Sequence, residues 1–297
     1  RARRGGRIIR RMVYLIDASV FVFKAWYSIP ADMTDPGRNP VNALYGFSRF
    51  LGDFLEDVQP RHVAVAFDGN RSQGGCVRTA IYPQYKANRE PAPPELKLQF
   101  ARCRAVARAL GLADCADAAF EADDLIAALA ARARAAGHRV TILSRDKDLA
   151  QVLQPGDVLW DYPSGRRIGY EDVPGVFGVR AEQIADFLAL TGDAVDNIRG
   201  VRGIGPKTAA ALLGHFAGIA EIYDNLEAVG RLKIRAAPAL PGRLRSHRAD
   251  VDVALQLTRV RYDAPVFDHP DALLRRCPDL EGLDGLYDVA GFGEILR

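Results

Sequence analysis

Three short apolar runs in this chain each lead to an aspartate. They are Val13–Ile16 before Asp17, Val63–Phe67 before Asp68, and Val140–Leu143 shortly before Asp146. Short apolar runs rich in β-branched residues predict buried strands. Because ligands bind beyond the carboxyl ends of the strands in an open parallel sheet, we expect the three acids to converge at one edge of a sheet.

Longer segments with helical periodicity lie between and around these runs. They are Ala18–Tyr27, Val41–Val58, Glu95–Leu110 and Phe120–Ala136. Strands and helices that alternate with short connections predict an α/β fold with a central, mostly parallel sheet flanked by helices. Asp157–Asp161 and Arg166–Tyr170 look like two further strands, joined in a hairpin at Pro163–Gly165.

The pattern divides the chain into three regions. Residues 1–11 form a basic arm, which could touch phosphates or be a disordered tail. We expect an α/β core over residues 12–175, containing an arch segment at 69–110. From 176 to 297 the pattern is helical with short, glycine-rich connections, which predicts a smaller helical region.

The composition says more about the cellular compartment of the protein than about the reaction it catalyses. The chain has 297 residues and a net charge of only +3, so the overall charge does not point to a basic surface for a partner. Its four cysteines lack C-x-x-C spacing, which argues against a zinc site and fits a reducing cytosol. No apolar stretch approaches the roughly 18 residues of a membrane span. We therefore expect a cytoplasmic protein that does not contact a membrane.

Further acids occur in tight sets near the ends of the predicted strands. The sets are Glu121, Asp123 and Asp124, then Asp146 and Asp148, then Asp193 and Asp196. Glu121 and Asp124 share a helix face because they are three residues apart. So many converging carboxylates repel one another, and divalent metal ions neutralise them best. The acids therefore predict a metal-dependent phosphoryl-transfer site.

The segment Gly200–Ala209 has the pattern of a helix-hairpin-helix, at about residues 198–215. Its tight turn, Gly203 to Gly205, precedes a proline at a favoured first position of a helix. Backbone amides at that helix start, helped by Lys207 and Thr208, can hold a DNA phosphate without reading sequence. An ordinary turn between two helices is the alternative.

Aromatic and cationic residues alternate in Tyr82–Arg89, inside a stretch from Gly69 to Pro94 that has no regular apolar period. Such a long stretch without a core pattern is usually functional or disordered. The aromatic rings could stack on bases, and Lys86 or Arg89 could bind a phosphate or stabilise transition-state charge. Taken alone, the segment could equally be a solvated loop.

Taken together, these motifs resemble the 5′ nuclease (flap endonuclease) family, from about Met12 to the C-terminus. The resemblance is greatest to the 5′–3′ exonuclease domain of bacterial DNA polymerase I and its stand-alone relatives. It implies a PIN-like core with a helical arch and two or more Mg²⁺ or Mn²⁺ ions. The metal ligands it implies are Asp17, Asp68, Glu121, Asp123, Asp124, Asp146, Asp148, Asp193 and Asp196.

The same resemblance assigns roles outside the acids. The family's arch motif, which threads or clamps the 5′ strand, matches Arg78, Tyr85, Lys86 and Arg89, with a catalytic role for Lys86. K⁺ would bind carbonyls of the Gly200–Gly205 loop. The chain departs from the family pattern at Ala18, Lys24 and Arg199. Lys24, which is also predicted to be catalytic, stands where an arginine is expected and keeps the charge but not the bidentate fork.

The implied function is a structure-specific 5′ nuclease in bacterial DNA replication and repair. Its substrates would be DNA with 5′ flaps, nicks, gaps or free 5′ ends, and we expect a monomer acting near the nucleoid. A PIN-type ribonuclease and a DNA-binding module without catalysis are the alternatives. The helix-hairpin-helix and basic arch argue against the first, and the full set of acids against the second. Whether the chain is a whole protein or part of a polymerase stays open.

Overall fold

The computed structural model describes residues 12–69 and 75–293. The predicted basic arm at residues 1–11 therefore lies outside the described residues. The strands are β1 (Met12–Asp17), β2 (His62–Asp68), β3 (Ala113–Asp117), β4 (Arg139–Leu143), β5 (Val158–Asp161) and β6 (Arg166–Gly169). They form one sheet in the order β3-β2-β1-β4-β5-β6, in which only β6 is antiparallel to its neighbour.

Helices cover both faces of this sheet. In the first two thirds of the chain they are α1 (Ala18–Ser28), α2 (Asn42–Val58), α3 (Val77–Ile81), α4 (Pro94–Ala109), α5 (Ala122–Ala135), α6 (Val173–Phe177) and α7 (Ile184–Thr191). The remaining helices are α8 (Pro206–His215), α9 (Ile219–Asp224), α10 (Leu226–Gly230), α11 (Leu240–Ser246), α12 (Arg248–Thr258) and α13 (Leu280–Ala290).

Strand residues alternate between two hydrophobic cores. On one face, Val63 and Phe67 of β2 pack with bulky side chains from α1, α2, α4 and α13, such as Phe47 and Phe54. On the other face, small residues such as Ala64 pack with α5 and with the C-terminal helices. Small residues on both sides allow the alanine-rich α5 to lie close to the sheet, because little side-chain volume separates the two backbones.

The prediction of a mostly parallel α/β sheet flanked by helices is confirmed. The hairpin of β5 and β6 is also present, with Asp161 opposite Arg166. The apolar pattern does not predict β3, because its sequence Ala-Asp-Cys-Ala-Asp has mostly half-buried positions rather than an apolar run. No helix in the described ranges is long and apolar enough to cross a membrane.

The predicted boundary near residue 175 falls inside α6. One hydrophobic core runs from the sheet into the C-terminal helices, where Leu188 and Leu212 belong to the same buried cluster as Leu15. The helical region therefore packs directly on the α/β core. The division into these two units stays a prediction.

Candidate metal centre and DNA-binding surface

Three neighbouring strands bring their aspartates to one edge of the sheet. Asp17 ends β1 and Asp68 ends β2, while Asp146 follows β4 and caps a short 3₁₀ helix. Since β1 pairs in parallel with both β2 and β4, the three strand ends lie side by side. Burial raises the pKa of Asp17 to about 7, and repulsion from Asp68 and Asp146 adds to the rise. These three carboxylates therefore share a buried region.

The start of α5 brings further acids to this region. Glu121 is the N-cap of the helix, and it forms a capping box with Asp124. Asp123, in the first turn, is half-buried, and its desolvation raises its pKa well above the ordinary value. Repulsion from Asp146 and Asp17 contributes to that rise, so Asp123 belongs to the same group of charges.

A loop after α7 supplies the last two acids, Asp193 and Asp196. Gly192, with φ of +75°, lies so close to Gly200 that a Cβ atom on it would be 2.6 Å from the Gly200 nitrogen. Only glycine allows this approach, which closes the loop. Burial raises the pKa of Asp148 to about 7, followed by repulsion from Asp146 and smaller contributions from Asp193 and Asp196.

Seven carboxylates thus act on one another across a single region, which we call the carboxylate cavity. They are Asp17, Asp68, Asp123, Asp146, Asp148, Asp193 and Asp196. Among the described residues, no three His, Cys, Asp or Glu side chains form a finished coordination group for a metal ion. The donor set nevertheless fits a hard divalent cation, since all its ligands are oxygens and the buried Oδ1 of Asp148 has no hydrogen-bond partner.

Lys86 reaches into the carboxylate cavity. Its Nζ lies 2.9 Å from Glu121 Oε1 and 3.6 Å from Asp196 Oδ2. Burial opposes the charge on this ammonium, yet attraction to Glu121 and Asp196 holds the pKa of Lys86 above its ordinary value. A fixed cation therefore stands among the acids. Its role in stabilising negative charge on a substrate stays a prediction.

The segment around Lys86 is fastened to the acid-bearing loop. The Lys86 backbone N–H donates to the Asp196 carbonyl at 2.9 Å, and Lys86 adopts a left-handed φ of +54°. Asn88 donates to the Ala194 carbonyl at 2.8 Å, and Asn197 donates to the Gln84 carbonyl at 2.7 Å. Within the described residues, this part of the predicted arch lies against the cavity.

Tyr85 and Arg78, two predicted DNA contacts, have buried side chains, each only 5% exposed, so this placement does not favour their prediction as DNA contacts. The Tyr85 ring belongs to the hydrophobic core, and its hydroxyl donates to Glu121 at 2.9 Å. The Arg78 guanidinium binds Asp124 through two hydrogen bonds. Neither side chain is available to stack on a base or reach a phosphate.

Asp124, a predicted metal ligand, is bound to Arg78 in this arrangement, which does not favour a role as a ligand. It is buried, and both of its oxygens accept hydrogen bonds from Arg78 at 2.6 and 2.8 Å. Sequence reasoning does not reveal this pairing because the two residues are 46 positions apart. It also missed two serines that donate to predicted ligands: Ser144 Oγ to Asp17 at 2.8 Å and Ser19 Oγ to Asp68 at 2.7 Å.

Two further predicted cations, Arg89 and Lys24, are more accessible. Arg89 is 45% exposed and forms an ion pair with Asp196 at the rim of the cavity. Lys24 is exposed on α1 and lines a groove between α1 and α2, together with Arg49, rather than the carboxylate cavity. The structure therefore does not bring Lys24 to the acids.

The hairpin lies between α7 and α8 and is exposed at its glycines. Gly203 has φ of +84°, and the guanidinium of Arg243 lies directly against it, donating to its carbonyl at 3.2 Å. Gly205 caps α8 with an ordinary negative φ, and no atom lies within 4 Å of where its Cβ would be. Lys207 is exposed and Thr208 half-buried at the start of α8. The open face at Gly205 leaves room for a phosphate.

Family models match nearly all of the described chain. The N-terminal resolvase-like domain of 5′–3′ exonucleases matches residues 12–178, and their C-terminal SAM-fold domain matches residues 179–281. The chain belongs to the 5′–3′ exonuclease family. Two DNA polymerases I are among its relatives. The Rhizobium leguminosarum protein is 36% identical over 96% of this chain and 28% of its own length. The thermostable Thermus filiformis protein is 35% identical over 97% of this chain and 33% of its own length.

This member of the 5′–3′ exonuclease family thus spans about a third of the length of the curated relatives it matches. Solved structures share its fold. A zinc-bound T5 5′-exonuclease superposes with a TM-score of 0.67 at 20% identity, covering 94% of this chain and all of the other. The catalytic core of Rad2 in complex with DNA substrate gives a TM-score of 0.61 at 15% identity, covering 95% of this chain and 88% of the Rad2 chain.

Proposed function

We propose that this chain is a structure-specific 5′ nuclease that hydrolyses DNA phosphodiesters, as a flap endonuclease and a 5′–3′ exonuclease. The observation that carries the proposal is the carboxylate cavity, in which strand ends, α5 and the Gly192–Gly200 loop bring seven acids together with Lys86. A half-buried group of like charges is costly for the fold alone, and such groups are typical of catalytic sites.

Divalent ions, Mg²⁺ or Mn²⁺, would be held by the seven carboxylates and by Glu121. When bound, such ions lower the pKa of an attacking water and stabilise charge on the phosphate. The metal-bound T5 5′-exonuclease supports this proposal through its shared fold. K⁺ at the hairpin carbonyls is a further proposal, although Arg243 already places a positive charge beside the Gly203 carbonyl.

Among the chain's own residues, Lys86 is the proposed catalytic cation. Its ammonium is held by Glu121 and Asp196, so it is already oriented before a phosphate arrives. A fixed donor of this kind stabilises developing negative charge without needing to reorganise. The exposed Arg89 at the rim would guide the 5′ strand. Lys24 is better suited to DNA in the groove between α1 and α2 than to the reaction itself.

Duplex DNA would be held at the hairpin through its phosphates. The open space at Gly205 and the exposed Lys207 and Thr208 at the start of α8 support this assignment. Such contacts fix the position of the duplex without reading its sequence. Shape would then select the substrate, namely DNA with 5′ flaps, nicks, gaps or free 5′ ends. The relationship to DNA polymerases I supports a role in replication and repair.

A panel of labelled substrates tests the proposal. We expect the protein to cleave a DNA 5′ flap near its junction with Mg²⁺ or Mn²⁺, and chelation to stop cleavage while flap binding survives. A matched blunt duplex and an RNA flap of the same sequence are the controls. Preference for the RNA flap would favour a PIN-type ribonuclease. Flap binding without cleavage under either metal would favour a non-catalytic DNA-binding module.

A further inference from the structure

The Arg78 guanidinium joins three distant parts of the chain. Besides its two hydrogen bonds to Asp124, its Nε donates to the Leu257 carbonyl at 2.8 Å and its Nη2 to the Arg259 carbonyl at 3.2 Å. Arg78 belongs to α3, Asp124 to the first turn of α5, and Leu257 to the end of α12. One buried side chain therefore links the predicted arch segment, the acid-bearing helix and the C-terminal helical region.

Asp124 is fully engaged in the same network. Its Oδ2 also accepts the Glu121 backbone N–H at 3.1 Å, and its Oδ1 accepts the Arg261 backbone N–H at 2.9 Å. An ionised carboxylate offers about four lone-pair positions. Arg78 fills two of them and these backbone groups fill the others, so none is left for a metal ion.

The segment held by this pair forms one side of the carboxylate cavity. Leu257, Thr258 and Val260 line the cavity together with acids that include Asp148. Gln151, three residues after Asp148, donates to the Thr258 carbonyl and accepts the Val260 N–H, both at 3.0 Å. Residues 257–261, which we call the cavity wall, are thus held both by the Arg78–Asp124 pair and by Gln151.

The pair also orients an acid directly. Arg78 Nη1 lies 3.4 Å from Glu121 Oε2, while Asp124 binds the Glu121 backbone. Glu121 is the nearer of the two acids that hold Lys86. The position of the proposed catalytic cation therefore depends on the Arg78–Asp124 pair through Glu121.

We infer that Arg78 and Asp124 are a positioning pair that fixes Glu121 and the cavity wall, contacting neither DNA nor metal. This deepens the proposed function and rests on it. The fork of arginine is essential to the arrangement, because a lysine carries the charge but cannot bind both carboxylate oxygens and two carbonyls at once. The pair would make the nuclease site depend on correct docking of the C-terminal region.

Replacing both members of the pair by leucine distinguishes a positioning role from a purely stabilising one. Arg78→Leu and Asp124→Leu should each lower Tm, since each leaves a buried charge without its partner, and the double variant should recover part of that loss. We expect the double variant still to cleave a flap at least about tenfold more slowly at saturating enzyme, with unchanged flap affinity. Exchange of the Arg261 amide hydrogen should be at least about tenfold faster, because its acceptor is gone.

Another buried arginine–aspartate pair gives a matched control. Arg134 Nε donates to Asp157 at 2.7 Å and Nη2 to the Val152 carbonyl at 2.6 Å, and neither Arg134 nor Asp157 lines the carboxylate cavity. The double variant Arg134→Leu/Asp157→Leu should change Tm but leave flap cleavage within about threefold and Arg261 exchange unchanged. Should the first double variant not fold, Arg78→Lys gives the cleavage test with the charge retained, because lysine cannot make the contacts of the arginine fork.

Two results would overturn the inference. One is wild-type cleavage in Arg78→Lys, or wild-type cleavage together with wild-type Arg261 exchange in the Arg78/Asp124 double variant. The other is a defect confined to flap affinity or to Mn²⁺ affinity, which would return Arg78 to DNA binding or Asp124 to metal binding. Failure of the wild-type protein to cleave any flap would reject the proposed function instead, while the exchange measurement would still decide the positioning role.

Discussion

The carboxylate cavity and the hairpin differ in how they treat their polar groups. The cavity withdraws carboxyl groups from water, whereas the hairpin leaves backbone groups exposed. In the cavity, burial and mutual repulsion raise the pKa values of Asp17 and Asp148 to about 7, so the fold maintains charges in an unfavourable setting. The hairpin exposes backbone and glycines, and it hides only the apolar Val201 and Ile204 in the core. Holding these ionisable groups together in the cavity lowers stability, whereas the hairpin only has to present its backbone to solvent.

The difference has a physical basis in what each region would bind. Metal ions and a reacting phosphate require converging, desolvated charges, because electrostatic interactions strengthen where water is excluded. A duplex held only by its backbone requires little more than accessible donors at one place. Substitutions in the cavity should therefore affect rate, and substitutions in the hairpin should affect binding or folding. Three predictions test that division.

The largest effect is expected from Asp148→Ala. Losing a group linked to the metals should lower single-turnover flap cleavage by about 10³-fold or more, with duplex binding retained. Tm should not fall, because the substitution removes one of several repelling charges. Asp114→Ala is the control, since Asp114 is paired with Arg104 and Arg108 and does not line the cavity. Near-normal cleavage by Asp148→Ala would disprove the proposed metal centre.

A smaller effect is expected from Lys86→Ala. Loss of a contact made mainly in the transition state should slow single-turnover cleavage by roughly 10²-fold, with much less change in flap affinity. Lys97→Ala, at an exposed position on α4, is the matched control and should cleave normally. If the whole defect of Lys86→Ala appeared in affinity, Lys86 would be a binding residue and the cavity would lack its proposed catalytic cation.

The smallest effects distinguish two glycines of the hairpin. Gly203→Ala should lower stability by about 1 kcal/mol or more, because its backbone is left-handed and Arg243 lies against it. Gly205→Ala should fold normally, since its Cβ would meet open space, but should weaken duplex binding for all sequences alike. Melting curves and binding to two unrelated duplexes measure both. Equal Tm losses would show that the turn needs glycine at both positions.

The sheet and the convergence of the strand-end acids could be predicted because they depend on local signals. An apolar run ending in Asp17 or Asp68 identifies both the strand and the edge at which its acid lies. Helix periodicity was equally informative for α2 and α5. By contrast, β3 has too few apolar positions to produce a pattern, and it was recognisable only from its pairing with β2.

Arg78 shows why other parts of the site could not be predicted. A cation in a segment without apolar period looks solvated, and nothing local indicates that a carboxylate 46 positions away will bind it. Its second partner, the Leu257 carbonyl, is 179 positions away and belongs to the backbone, so no side chain could indicate it. Burial of charge depends on distant pairing, and sequence patterns report that pairing only weakly.

The cavity wall has a consequence for the order in which a newly made chain becomes competent. Sheet residues through β6 precede residue 170, yet the wall that closes the cavity is residues 257–261. During synthesis the N-terminal part emerges first and folds as soon as it can. Its acids would then be gathered before the segment that completes their surroundings has left the ribosome. A chain made only as far as β6 would carry five of the seven acids but neither Asp193 and Asp196 nor the cavity wall, so we expect it not to cleave DNA.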